Sequence, residues 1–243
     1  MSAEKEFTKE NLDRYLTELG KEYRKRGGAA MPAEIILIGG AAVLANYGFR
    51  ETTYDIDAII HASSVMKEAV NIVGDSLKLP NGWLNTDFTR TTSYSGKLSE
   101  VSMYYKSFSK VLTVRTIAAE YLIAMKLMSG RQYKHDLSDV AGILLEHQRN
   151  GTPIARDAVD KAIAVLYGES AKIPDAAAQF IEDCFESGDY ERVYSEIRKS
   201  EKQAREILLS VEKDNISELK DDKLGAILSA ARKKRRTEQD REA

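Results

Sequence analysis

The chain of 243 residues predicts an α+β fold, a small mixed sheet flanked by helices and followed by an all-helical C-terminal region. Three observations predict it. Residues 35–77 read strand–helix–strand–helix, the opening of a layered structure in which helices cover a sheet. Residues 101–105 and 111–116 read as two more strands, or a hairpin around Lys106 to Lys110. From Thr152 onward the pattern is helical and charged. The organisation expected is a sheet-bearing unit with an N-terminal helix over residues 1–150, then a helical region over 151–243.

Element by element, Thr8 caps a helix over residues 8–26, whose stripe is Leu12, Tyr15, Leu16, Leu19 and Tyr23. Gly27-Gly28 closes it. Ile35 to Ile38 is an unbroken apolar run, the signature of a strand buried on both faces. Gly39-Gly40 stops that strand, Ala41 to Asn46 makes a short helix, and Gly48 ends it. Thr53 to Ile60, rich in β-branched residues, is the second strand. Ser63 or Ser64 caps a helix to about Leu77, Pro80-Asn81-Gly82 is a turn, and Thr89 to Tyr94 has β propensity. Ala118 to Ser129 is a strong helix, and Asp136 and Asp139 share one face of the next helix start. Beyond it, helices are expected at 158–167, 174–185, 190–213 and about 216–236, the last ending in the basic run Arg232 to Arg236.

Charge and composition narrow the classes. Acidic and basic residues nearly balance, 38 against 36, so no global field draws the chain to nucleic acid. No apolar run approaches the roughly 20 residues of a membrane span, and residues 1–10 carry no signal-peptide core. The lone Cys184 has no partner for an internal disulfide. These features fit a cytoplasmic protein. The three histidines, His61, His135 and His147, have no zinc spacing.

The chemistry concentrates between Glu34 and Ile60. Asp55 and Asp57 lie two apart on a strand, so both carboxylates point to one face while Ile56 points into the core. Their Cα atoms are about 6.5 Å apart. Two like charges this close repel, and a divalent cation with oxygen ligands, Mg²⁺ above all or Mn²⁺, relieves the conflict while also taking substrate phosphates. The Gly39-Gly40 turn into a helix leaves the backbone N–H groups of Gly39, Gly40 and Ala41 free for a phosphate. The plainer reading of the acids is a solvated strand face. Lys126 stands alone in an apolar helix, either reaching phosphate or snorkelling to water. Asp136 is either a site residue or a helix N-cap.

Ile38-Gly39-Gly40 followed by Asp55-Ile56-Asp57-Ala58 resembles the nucleotidyltransferase superfamily that includes DNA polymerase beta. The spacing of Arg50, Thr53 and the two acids is most similar to its minimal and toxin-type members. The stretch from Tyr121-Leu122 through Lys126, Gly130-Arg131 and His135-Asp136-Leu137-Ser138-Asp139 resembles the last two motifs of abortive-infection toxin nucleotidyltransferases and a related bacterial family. The resemblance spans roughly residues 34–145. It implies a polymerase-beta-like sheet, with Asp55 and Asp57 as catalytic metal ligands. It implies Gly39, Gly40, Ala41, Thr53 and Lys126 at the nucleotide, and Asp136 completing the site. A nucleoside triphosphate donor is then expected, with RNA, a protein or a small molecule as acceptor, a possible cognate antitoxin, and no membrane. The family also places a third carboxylate on a later strand, expected near Val111 to Arg115. None is there, and Asp87, Glu100 and Glu120 are the nearest acids. That departure keeps two other readings in view: a catalytically weak or inactive nucleotide-binding scaffold, and a partner-binding module of a toxin–antitoxin pair.

Overall fold

The computed structural model describes residues 6–131 and 135–214, with 205–214 as helix backbone. In chain order the elements are α1 (Lys9–Tyr23), β1 (Ala33–Leu37), α2 (Gly39–Asn46), β2 (Ile56–His61), α3 (Val65–Leu77), β3 (Leu84–Asn85), β4 (Ser102–Phe108), β5 (Leu112–Ile117), α4 (Ala119–Ser129), α5 (Asp136–Arg149), α6 (Arg156–Tyr167), α7 (Asp175–Ser187) and α8 (Tyr190–Asp214). This is the mixed sheet, flanked by helices and followed by a helical region, that the sequence predicts. The basic run and the helix expected from residue 216 lie outside the described residues.

The five strands run in the order β3-β2-β1-β5-β4. β1 pairs antiparallel with β2 and parallel with β5. β3 is parallel to β2, and β4 antiparallel to β5. The central position of β1 explains its composition, since Ile35, Ile36 and Leu37 are all fully buried. α1 packs with α3, and α2 packs over β2 and β5 against α4. α6 lies on α4, and α8 on α5. One apolar core runs from Phe7 to Tyr190, so the later helices share it with the sheet.

Local chemistry sets the boundaries. At the start of α1 the Thr8 hydroxyl accepts from the Asn11 N–H and the Asn11 amide oxygen accepts from the Thr8 N–H, so asparagine closes a capping box usually completed by Glu or Gln. β2 is shorter at its start than the expected strand from Thr53. Thr53 instead exchanges both backbone hydrogen bonds with Phe7, at 2.7 and 2.9 Å, and ladder pairing resumes only where the Ile56 N–H reaches Trp83 O. Asp55 therefore stands just ahead of the strand. Thr89 to Tyr94 is not a strand. The Thr89 and Thr91 hydroxyls donate to carbonyls three residues back, and a 3₁₀ turn spans Asp87–Arg90. Gly48 does not terminate α2, which ends when Tyr47 turns extended. Ser64 precedes α3 without a side-chain cap.

Candidate active site

The site is built where β1 ends. Ile38 is extended, and its N–H donates to Asp57 O at 3.0 Å, so the chain turns into α2 directly beside β2. Gly39 sits at φ +56, a left-handed conformation that only glycine adopts cheaply. A Cβ there would stand 3.7 Å from Asp57 Oδ2. Gly40 is hemmed in more tightly, its would-be Cβ falling 2.7 Å from Thr53 Oγ1 and 3.0 Å from Arg50 Nη2. The first intrahelical bond of α2 runs from the Ala42 N–H to Ile38 O. The N–H groups of Gly39, Gly40 and Ala41 precede it, and no side chain caps them. Asp57 thus stands beside the first glycine of the doublet.

Asp55 is exposed, Asp57 half-buried, and Ile56 between them fully buried. Only Asp57 lies within β2, so the expected placing of both acids on one strand is met by Asp57 alone, and neither acid is sunk in the core. Thr53, buried beneath the turn, donates its hydroxyl to Asp55 O at 3.3 Å.

Lys126 and Asp136 lie in a buried charge cluster. Lys126 Nζ is 2.8 Å from Asp136 Oδ1 and 2.9 Å from Asp139 Oδ2. Arg131 Nε donates to Asp136 Oδ2 at 3.0 Å, and Arg50 pairs with Asp139. Lys126 does not snorkel to water: its side chain is 8% exposed. Burial works against its charge, but the two carboxylates prevail and hold its pKa above the ordinary lysine value. Burial likewise opposes ionisation of Asp136, yet Lys126 and Arg131 hold its pKa well below the usual carboxylate range. Asp136 is the first residue of α5 rather than its cap, a place taken by His135. Three cations face two carboxylates, leaving one surplus positive charge. Arg50 links the cluster to the turn: it lies against Gly40, donates Nε to Thr52 O at 3.1 Å, and grips Asp139.

The stretch where a third carboxylate is expected, Val111 to Arg115, falls at and ahead of β5 and carries no acid. β5 borders β1, not β2. On the side of β2 away from β1 lies β3, where Asn85 is in register with Asp57 and exposed Asp87 follows two residues later. Among the described residues no cluster of three or more His, Cys, Asp or Glu is arranged to hold a metal ion. Two carboxylates alone fit instead a cation such as Mg²⁺, which completes its shell with water and phosphate oxygens.

Three members of this network escaped the sequence reading. Arg50 and Arg131 sat only within motif spacings. Glu201 of α8 is 4% exposed and accepts from the Ser138 N–H at 3.1 Å and the Ser138 hydroxyl at 2.6 Å. Its signal was a Glu at the 197, 201, 204 rhythm of an otherwise apolar stripe.

No curated protein and no solved structure matches the chain. A family model described as "Nucleotidyltransferase of unknown function (DUF6036)" matches residues 14–150, more than half the chain and the whole of the sheet, the glycine turn and the charge cluster. The chain belongs to this nucleotidyltransferase family.

Proposed function

We propose that the protein is a Mg²⁺-dependent nucleotidyltransferase, moving a nucleoside monophosphate from a triphosphate to an acceptor hydroxyl. The observation that carries this reading is the meeting of Asp57 Oδ2 with the Gly39 turn, across 3.7 Å to the would-be Cβ. Asp55 and Asp57 would hold the cation, which when bound neutralises charge developing on the phosphates. The N–H groups of Gly39, Gly40 and Ala41 orient the phosphate tail at the α2 N-terminus. Thr53 supports that turn from beneath. The acceptor oxygen bonds to the α-phosphorus, the bond to the bridging oxygen breaks, and pyrophosphate leaves with the proton released to water. The cluster around Lys126 and Asp136 contributes its surplus positive charge through Arg50, and Lys126 would contact phosphate directly only after releasing an aspartate.

The test is Mg²⁺-dependent incorporation of label from α-labelled nucleotides. Wild type should transfer label, and Asp57→Ala and Asp55→Ala should lose it with little change in thermal stability, because neither side chain is buried. Nucleotide binding without turnover would instead support a non-catalytic nucleotide binder, a reading favoured by an amide, Asn85, in register with Asp57. A toxin role, supported by the likeness of the Lys126 and Asp136 motifs to abortive-infection toxins, predicts growth arrest that requires Asp57 and is relieved by the product of a neighbouring gene.

A further inference from the structure

A cavity of about 1010 Å³ lies between α3 and the segment 79–87, and the catalytic reading leaves it without a role. Its lining includes Ile60 of β2 and Leu84 of β3. Its rim includes Asn85, Thr86 and Asp87. Leu84 and Asn85 are consecutive residues of a strand, so they point to opposite sides of the sheet. The cavity therefore adjoins the sheet edge, where β3 has only two residues. Asn85 is the register partner of Asp57, one strand spacing of about 4.8 Å away.

In-line displacement at phosphorus requires the attacking and leaving oxygens on opposite sides of the transferred group. The phosphate tail belongs on the β1 side of Asp57, because the Gly39 turn emerges from β1. The attacking hydroxyl must then approach from the other side, and the element there is β3. Asn85 of that strand is one of the residues lining the cavity.

Its lining points to a class of ligand. The charged residues are Lys67, Asp75 and Asp87, a formal sum of −1, and among the rest are Ser63, Asn71 and other hydroxyl and amide side chains. Nucleic acid is held by neutralising phosphates with clustered Lys and Arg. One lysine against two carboxylates offers no such surface, whereas hydroxyls and amides pair with a ligand rich in hydroxyl groups. We propose that this cavity is the acceptor subsite and that it takes an uncharged or cationic, hydroxyl-bearing small molecule rather than RNA. The proposal rests on the nucleotidyltransferase reading above.

The experiment separates the two. Asn71→Trp and Ser64→Trp each place a large side chain in the cavity from exposed positions on or just before α3, away from the acids and the glycine turn. Calorimetry with Mg²⁺ and a nucleoside triphosphate measures donor binding. Transfer of α-label is then measured to three probes: the small-molecule ultrafiltrate of a bacterial extract, purified total RNA and the protein fraction. Expected are label in the ultrafiltrate, a loss of roughly a hundredfold or more in both variants, and donor binding equal to wild type. Label entering RNA or protein in preference, or transfer surviving in both variants, overturns the acceptor assignment while leaving the transferase reading intact. A wild type that binds no nucleotide overturns both.

Discussion

At the scale of single residues, Lys126 shows how a motif position is built into a buried charge cluster. It is buried against two carboxylates, each of which also holds an arginine. Lys126→Met strips both of their shared cation, and a cost of about 3 kcal/mol is expected in urea unfolding, the low end for breaking a buried pair because Arg50 and Arg131 remain. The pH dependence follows from Asp136. Its pKa is lowered in the fold, so its contribution is fully present above the unfolded value of about 3.9 and is lost as pH falls toward the folded value. Wild-type stability should therefore decline below about pH 4. Asp136→Asn, less stable at neutral pH, should show a flatter acid limb, read from unfolding midpoints across a pH series. Lys126 mirrors this, its raised pKa extending the interaction into alkaline solution until pH passes the folded value. Gly40 makes a sharper test. Gly40→Ala drives a methyl against Thr53 and Arg50 and should cost about 1–3 kcal/mol and displace the phosphate turn. Gly48→Ala, with nothing within 4 Å, should be silent in both stability and nucleotide binding.

At the scale of elements, α8 completes α5. The α5 N-terminus has no cap from its own flanking residue, and Glu201 supplies one from another helix, placing a carboxylate where the helix dipole favours it. His135 Nδ1 lies 3.1 Å from the same carboxylate, and the Tyr194 hydroxyl donates to Phe49 O at 3.4 Å. The start of α5 also carries Asp136 and Asp139, so the C-terminal helix steadies the charge cluster through one short stretch. Glu201→Ala leaves the Ser138 N–H and hydroxyl buried without that partner and should cost about 1–3 kcal/mol. Hydrogen exchange should rise first at Ser138 and Asp139, before the α4 amides change. A uniform rise across the chain would instead mean that α8 serves only general packing.

For the molecule as a whole, Cys184 reports on cooperativity. It is fully buried in α7, and burial pushes its thiol up to about 12. Thiol labelling should therefore track opening of the shared core, and label entering faster than core amides exchange would mean that α7 opens by itself. How much was legible in the sequence follows the same division between near and far. The Ile35 to Ile38 run and the Leu12 to Tyr23 stripe are local patterns, and they became the core of β1 and the buried face of α1, whereas the acid pattern became a strand only from Ile56. The Arg50–Asp139 and Ser138–Glu201 pairs, 89 and 63 residues apart, have no local signature because topology alone joins them. The strand on the far side of β2 was invisible for another reason: Leu84–Asn85 is two residues long and exists only because β2 offers it a partner. One consequence concerns the far margin of the sheet. β4 is interrupted between Tyr104 and Lys106 by an extra residue, and Tyr105 and Lys106 are tied back to Asp13 at 2.9 and 2.8 Å. A second copy finds no straight row of amides there to zip onto, so concentrated solutions should stay clear of fibrillar growth seeded from this border.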